Sequence, residues 1–313
     1  MAKLSLLLFI ILTFFLIVPK PVEALAQAEK ALLLQRIEIL RQEIQLLQSL
    51  LFNLRLQQEV SAASYVTVNL SDNSVTQTTV KGEDEGKPWK GQTSSTILEK
   101  NASQPYPIAS LTKLISAVVA REHIEKNQTI RLTEKMLEPL GHSPSLFLGL
   151  NISAENLLKA SLIQSTNDAS EALAYFLGKE KFLDLMNQKA KELGMENTVF
   201  SDSHGLSLAN RSTAEDLAKL VAYIHQQHPE ILQITRDNNF WLPDSTGRLL
   251  KFQNVNNFYP LPEFIGGKTG YLAQAKQTLA SVFRLNEKPV AIILLYSDNR
   301  QADTFTILNR LKK

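Results

Sequence analysis

The stretch that most constrains this chain is Leu114–Ala120, a run of apolar and small residues without charge. A helix that is apolar on every side must be buried in a protein core. Ser110 and Lys113 precede this run at a spacing that places both side chains on one helical face. Burial disfavours the ammonium form of a lysine, so its pKa falls from about 10.4 toward neutrality. The segment therefore predicts a serine hydroxyl beside an uncharged amine that can take its proton.

The same spacing has an ordinary alternative explanation. A serine at the start of a helix often caps it, and a lysine one turn later often lies at the surface. About one such Ser-x-x-Lys pair is expected by chance in a chain of this length. We expect the chain to enter a helix through Pro107, with Ser110 in the first turn. A catalytic role depends on what the other segments add.

Composition excludes several classes of protein. The 313 residues, 44% of them hydrophobic, are enough for one large or two ordinary domains. A formal net charge of +2 argues against nucleic-acid binding. The absence of cysteine excludes disulfides, thiolate catalysis and cysteine-bound zinc. Five scattered histidines form no His-Glu-x-x-His motif, so we expect neither a metal nor a cofactor.

The amino-terminal segment has the layout of an export signal. Lys3 precedes the apolar-rich stretch Leu4–Val18, and small residues at Ala24–Ala26 are suited to cleavage before Gln27. Residues 1–26 are therefore predicted to be a signal peptide or, as the second choice, an uncleaved membrane anchor. Either alternative places the rest of the chain outside the cytoplasm, secreted or attached at its amino end.

Residues 27–60 carry a heptad pattern. Its two core positions are filled by Leu33, Leu40, Leu47 and Leu54 and by Ile37, Ile44 and Leu51. Isoleucine alternating with leucine favours a parallel two-stranded coiled coil, so we expect a homodimer or a stalk. Extra apolar residues widen the stripe, so a higher oligomer or packing against another partner is also open. The simpler alternative is one amphipathic helix that lies on its own catalytic domain or on the membrane surface.

Residues 61–313 are predicted to form the catalytic domain, with an antiparallel sheet, flanking helices and a helical subdomain inserted at about 121–230. This is an α+β fold. Strands are expected at 65–70, 75–80, 96–98, 278–285 and 290–296. Helices are expected near 153–162, 168–178, 182–194, 212–224 and 301–311, the fourth opened by a Ser212–Glu215 capping box.

Two further segments carry groups suited to peptide chemistry. Ser165 and Asn167 lie in the break between two predicted helices, where a hydroxyl can relay a proton and an amide can bind a peptide group. Lys268 and Thr269 lie among glycines before an apolar strand and can bind a carboxylate. Considered alone, Ser165 and Asn167 are more simply explained as helix-capping residues. Lys268 and Thr269, considered alone, are more simply explained as part of a glycine-rich hairpin with a solvated lysine.

The three segments together, in this order, resemble the penicillin-recognising serine hydrolases, which carry S-x-x-K, S-D-N and K-T-G motifs. The resemblance is to the low-molecular-mass D-alanyl-D-alanine carboxypeptidases and endopeptidases. It covers roughly Tyr65 to the carboxyl end and includes His204-Gly205-Leu206 and Ser212-Thr213-Ala214. It implies a β-lactamase/transpeptidase-like fold, peptidoglycan stem peptides as substrate and β-lactams as inhibitors.

The resemblance also implies roles for individual residues. Ser110 would be acylated, Lys113 would be its base, and Ser165 would pass a proton to the leaving D-alanine. The substrate would be held by Asn167, Lys268, Thr269 and Gly270, and the oxyanion by the backbone N–H groups of Ser110 and Tyr271. Catalysis by His204 is disfavoured, because no Gly-x-Ser-x-Gly elbow is present and a lone histidine in a turn is more often structural.

Three positions depart from the family pattern. Ile108 replaces a common proline, Thr166 replaces the usual glycine of the second motif, and Lys276 stands where relatives usually have glycine. The leading expectation is a carboxypeptidase that cleaves the terminal D-Ala-D-Ala bond. An endopeptidase that cleaves cross-links is a close alternative, and a non-catalytic coiled-coil scaffold at the cell wall is a more distant one.

Overall fold

The computed structural model describes residues 19–71, 95–139, 141, 143, 145–244 and 246–312. Most of the predicted signal or anchor segment and the predicted strand at 75–80 lie outside the described residues. The chain divides into two compact units, Met1–Leu56 and Gln57–Lys313.

Helix α1 (Pro19–Glu59) confirms that the heptad segment is helical. The side chains at the seven predicted core positions are 40–62% exposed. Pairing of this helix with a second chain stays a prediction. Among the helices that the structure describes, none is both long and apolar enough to cross a membrane.

The second unit combines strands and helices. Its strands are β1 (Ser64–Asn69), β2 (Ser95–Lys100), β3 (Tyr106–Pro107), β4 (Thr129–Arg131), β5 (Asn151–Ser153), β6 (Arg211–Ser212), β7 (Asn239–Pro243), β8 (Leu249–Gln253), β9 (Phe264–Leu272), β10 (Lys276–Leu285) and β11 (Lys288–Ser297). Its helices are α2 (Thr112–His123), α3 (Ala154–Ile163), α4 (Asn167–Leu177), α5 (Lys179–Glu192), α6 (Ala214–Gln227), α7 (Pro229–Arg236) and α8 (Arg300–Leu311).

The main sheet has the strand order β2-β1-β11-β10-β9, with each neighbouring pair antiparallel. β1 and β11 lie inside this sheet, and nearly all of their residues are buried. β9 lies at one edge. The expected α+β architecture, an antiparallel sheet with helices, is therefore confirmed.

Helix α2 forms the centre of the core. Every residue from Thr112 to Ala120 is buried, as an apolar run of this kind requires. Helices α3, α4, α5, α6 and α7 contribute buried side chains to the same hydrophobic cluster. Lys113 is carried into this core with the helix, at 0% exposure.

The expected boundaries of several elements are confirmed. Ser153 caps α3 by accepting a hydrogen bond from the N–H of Asn156, and Gly178 ends α4 with a φ of 95°. β10 and β11 occupy the two predicted terminal strands. Their connection is tighter than expected, because Asn286 and Glu287 take positive φ values of 48° and 63°.

Other predictions were wrong in detail. The cap of α6 is Thr213, which accepts from the N–H of Asp216, so the capping box at Ser212 and Glu215 is displaced by one residue. Gly266–Tyr271 lies inside β9 and does not precede a strand. The β7–β8 hairpin was not predicted.

Gly205 fixes how closely the loop before β6 approaches the start of α2. Its φ is +91°, and a Cβ there would lie 2.1 Å from the carbonyl oxygen of Ala109. Gly205→Ala is expected to lower the free energy of unfolding by at least about 2 kcal/mol, since it combines a steric clash with backbone strain.

Gly194→Ala is the matched control for that substitution. Its φ is +68°, but an added Cβ would meet nothing within 4 Å, so a loss of about 1 kcal/mol is expected from the left-handed backbone alone. Chemical denaturation of both variants measures the difference. Equal losses would contradict the close approach.

Candidate active site

Ser110 lies in a single 3₁₀ turn, Ala109–Leu111, immediately before α2. Ser110 was expected in the first turn of the α-helix and instead lies just before it. Pro107 was expected to lead into the helix and instead belongs to β3. Ala109 has a φ of 49°, and its carbonyl accepts from the Thr112 hydroxyl at 2.8 Å. A left-handed alanine costs about 1–3 kcal/mol, so the surrounding contacts must hold this turn in place.

Lys113 brings two of the predicted motifs together. Its Nζ lies 3.2 Å from Ser110 Oγ, 2.8 Å from Asn167 Oδ1 and 2.6 Å from the carbonyl oxygen of His204. Burial lowers the pKa of Lys113 from 10.5 to about 7, and the negative charge of Asp202 acts in the opposite direction. At neutral pH the amine is therefore uncharged in a large fraction of molecules. In that form it can take the proton of the neighbouring Ser110 hydroxyl.

The second motif lies at the start of α4. Asn167 is the first residue of that helix, and Ser165, half-buried, precedes it with a φ of 61°. Ser165 is not among the three described hydrogen-bond partners of Lys113. Thr166 has a φ of −69° and turns its hydroxyl to the carbonyl of Ala160, so this position needs no glycine.

The third motif places a second buried amine in strand β9. Lys268 is 1% exposed, and its Nζ donates to the carbonyl of Thr269 at 2.8 Å. Burial, followed by the positive charges of Lys113 and Arg300, holds the pKa of Lys268 well below its ordinary value. An anion entering the site would relieve this cost, which makes Lys268 a candidate carboxylate ligand.

Gly270 allows β9 to approach the serine turn. A Cβ at this position would lie 2.9 Å from the backbone nitrogen of Ser110 and 2.4 Å from Thr278 Oγ1. Thr278, in turn, donates its hydroxyl to the carbonyl of Ile108 at 3.1 Å. The sheet and the serine turn are therefore held in direct contact.

The second predicted oxyanion donor, the backbone N–H of Tyr271, lies on strand β9. Gly267 directs its N–H to Thr235 Oγ1 at 2.8 Å and its carbonyl to Asn256, away from β10. Backbone groups of a strand alternate between its two edges, so the N–H of Tyr271 points to the same outer edge. The Tyr271 side chain is 65% exposed.

Arg300 is a site residue that the motifs did not reveal. It begins α8, and its NH1 donates to the carbonyl of Gly270 at 2.9 Å. Its charge acts on Lys268, so the two cations lie near the same strand. No pattern in the sequence distinguishes Arg300 from the other arginines, because its position follows from the packing of α8 against β10 and β11.

His204 and Lys276 are explained by local structure. The ring of His204 accepts a hydrogen bond from the N–H of Leu206, and burial lowers the pKa of its ring. Lys276, in the usual glycine position, takes a φ of 51°. Its amine pairs with Asp298 at 2.6 Å and lies over the ring of Tyr296 at 4.4 Å from the centroid.

A family model, Peptidase_S11, described as D-alanyl-D-alanine carboxypeptidase, matches residues 90–299. The chain belongs to this family. The S11 match spans all three motifs and thereby confirms the resemblance stated from the sequence.

Curated relatives carry both activities in their names. The chain is 32% identical over 219 residues to D-alanyl-D-alanine carboxypeptidase DacF of Bacillus subtilis, covering 64% of this chain and 54% of the relative. It is 32% identical over 216 residues to a D-alanyl-D-alanine endopeptidase of Escherichia coli, covering 65% and 67%. The match thus spans about half of the first relative and two thirds of the second.

Solved structures share the fold. A D-alanyl-D-alanine carboxypeptidase from Mycobacterium tuberculosis aligns with a TM-score of 0.69 and 23% identity, covering 80% of this chain and 91% of that chain. Penicillin-binding protein D2 from Listeria monocytogenes, in its cefotaxime-bound form, aligns with a TM-score of 0.66 and 24% identity, covering 81% and 98%. This S11 chain therefore has the transpeptidase-like fold.

Lys268→Met is expected to stabilise the protein. The substitution removes a desolvated cation and keeps much of its apolar volume, so the free energy of unfolding at pH 7 should rise by about 1–3 kcal/mol. Because the pKa of Lys268 is lowered on folding, the unfolded state binds more protons, and the stability of the wild type increases with pH.

The advantage of Lys268→Met should therefore shrink as the pH approaches the ordinary lysine value of 10.5. Urea denaturation at pH 7 and at about pH 10 measures both effects. Lys135→Met, at an exposed site, is the control and should change little at either pH. A loss of stability in Lys268→Met at pH 7 would contradict this account of the buried amine.

Proposed function

We propose that this protein is an extracytoplasmic serine D,D-carboxypeptidase that cleaves the terminal D-Ala-D-Ala bond of peptidoglycan stem peptides. The observation that carries the proposal is the 3.2 Å contact between Ser110 Oγ and the buried amine of Lys113, whose pKa is lowered to about 7. Membership of the S11 family and the names of its relatives support the same activity.

In the proposed reaction, Lys113 takes the hydroxyl proton as Ser110 Oγ attacks the carbonyl carbon between the two D-alanines. The backbone N–H groups of Ser110 and Tyr271 stabilise the resulting oxyanion. Collapse of the intermediate breaks the peptide bond, and Ser165 donates its hydroxyl proton to the leaving amine and recovers a proton from the Lys113 ammonium. Water then hydrolyses the acyl-serine ester and regenerates Ser110.

The substrate would lie along the outer edge of β9 as an added strand. Asn167 would bind a peptide group of the stem, and Lys268 and Thr269 would bind the terminal carboxylate, with Gly270 providing clearance. Arg300, held beside Gly270, adds a second cation to this clamp. Both cations are partly or fully desolvated, which strengthens their attraction for a carboxylate.

Endopeptidase cleavage of cross-links is the second candidate, supported by the name of the E. coli relative. The same residues would attack the same kind of bond. Incubation of the purified chain with a stem pentapeptide and with a cross-linked dimer distinguishes the two. Release of D-alanine from the pentapeptide alone supports the carboxypeptidase.

β-Lactams are the proposed inhibitors, because they acylate a serine of this kind and the Listeria structure has cefotaxime bound. Labelling by a fluorescent penicillin is expected for the wild type and should be lost in Ser110→Ala. Lys113→Met should slow labelling by at least about 100-fold, since the base is removed. Ser103→Ala, at an exposed turn, is the matched control and should label normally.

Labelling that survives Ser110→Ala would contradict the assignment of the nucleophile. An unlabelled wild type that still binds stem peptides would instead favour the non-catalytic scaffold.

The proposed organisation is an export or anchoring segment at 1–26, a coiled-coil helix at 27–60 and the catalytic domain at 61–313, with a helical subdomain at about 121–230. Attachment to the membrane would come from the amino end.

Dimerisation through α1 is proposed because its leucine and isoleucine seam is exposed. Sedimentation of the purified chain should give a dimer. Ile44→Asp should shift it to monomer, because the charge enters the seam. Gln45→Asp, next to the seam, carries the same charge and should leave the dimer intact. A monomeric wild type would contradict the proposal.

A further inference from the structure

Asp202 lies outside the three motifs, yet its carboxylate organises the turn beside them. Its Oδ1 accepts from the backbone N–H of His204 at 3.0 Å, from that of Gly205 at 2.5 Å and from Asn210 Nδ2 at 2.8 Å. Its Oδ2 accepts from the N–H of Ser207 at 2.6 Å. The residue is 9% exposed, so these four donors replace most of its water.

The turn that this carboxylate stabilises makes hydrogen bonds with the base and with residues on both sides of the nucleophile. Its His204 carbonyl accepts from Lys113 Nζ at 2.6 Å, the shortest of the three contacts of that amine. Asn210 donates to the hydroxyl of Thr112 at 3.0 Å, and its carbonyl accepts from the N–H of Ile108 at 3.1 Å. A shift of the turn would therefore move the amine and the serine together.

The charge of Asp202 also acts on the base. Burial is the largest influence on the pKa of Lys113 and lowers it, while the Asp202 carboxylate raises it. The pKa of about 7 is the balance of the two. Without the carboxylate, Lys113 would remain uncharged down to a lower pH.

Other charged groups approach this region from the neighbouring elements. β9 and α8 contribute the cations Lys268 and Arg300. From α4, Glu171 faces the His204 ring at 3.7 Å, but it is paired with Lys179 at 2.5 Å. Asp168, also on α4, accepts from the N–H of Ser143. Glu171 is thus a second buried carboxylate near the turn, and one whose partner is a cation other than Lys113.

We propose that Asp202 is a positioning residue for Lys113, holding the His204 carbonyl on the amine and favouring the amine's protonated form by its negative charge. The inference rests on the proposed acyl-serine function. It assigns two effects to one carboxylate: it places the base, and it sets the pH at which the base loses its proton.

The test is the pH dependence of Ser110 acylation by a fluorescent penicillin, measured between about pH 5 and pH 9. The acid limb of the wild type should have its midpoint near 7, where Lys113 loses its proton. Asp202→Asn and Asp202→Ser keep an acceptor but remove the charge. Each should lower the midpoint by about half a pH unit or more and reduce the plateau rate.

Glu171→Gln is the matched control, because it removes a buried carboxylate beside the same turn. Its midpoint should equal that of the wild type. A purely structural role of Asp202 predicts the opposite shift, since a loosened turn admits water to Lys113 and moves its pKa upward toward the ordinary value. The sign of the shift therefore decides between the two roles.

Failure of the inference is distinguishable from failure of the proposed function. A wild type that is never acylated overturns the function itself. If the wild type is acylated but Asp202→Asn and Asp202→Ser, although folded, have an equal or higher pH midpoint of acylation, only the role of Asp202 is overturned. If neither neutral variant folds, as judged by thermal melting, while Asp202→Glu does, the carboxylate serves folding and the proposal is also overturned.

Discussion

The burial of the Lys113 amine is the constraint on which the rest of the structure depends. Helix α2 carries this lysine into the core because the residues after it are apolar. A buried amine needs hydrogen-bond acceptors, because it has lost its water. Here the acceptors are a hydroxyl, a side-chain amide oxygen and a backbone carbonyl. These three groups come from three separate parts of the chain, so satisfying one nitrogen assembles the site.

The site is also where the fold accepts strain. Ala109 and Ser165 take left-handed backbone conformations, one beside the nucleophile and one in the second motif. Each costs about 1–3 kcal/mol and must be held by its surroundings. Gly205 and Gly270 let the neighbouring segments approach Ala109 closely enough to support it.

Positive charge at β9 gives the site its chemical character, since among the described ion pairs none joins Lys268 or Arg300 to a carboxylate. Lys268 is fully buried, and the charges of Lys113 and Arg300 act on it unfavourably. A substrate carboxylate would convert this unfavourable arrangement into binding energy, as expected when stability is exchanged for function. The same reasoning explains why Asp202 lies close to the base but is occupied by backbone donors: it can act on Lys113 by charge while remaining fixed in its turn.

The sequence by itself indicated the candidate catalytic residues and most of the segments that are helical or extended. The apolar run after Lys113 required burial, and burial required a lowered pKa. Three motifs in one order indicated the family and hence the fold. These signals are local, because periodicity and motif spacing report on residues that are near one another along the chain.

Only the tertiary structure decided which groups complete the site. Asn167 and His204 contact Lys113 across 54 and 91 positions of sequence, and Arg300 reaches Gly270 across 30. No local pattern marks Asp202 or Arg300, because their positions arise from the packing of a turn against α2 and of α8 against the sheet. Contacts between distant segments depend on how the buried surfaces fit together, and this is the information that a single sequence does not display.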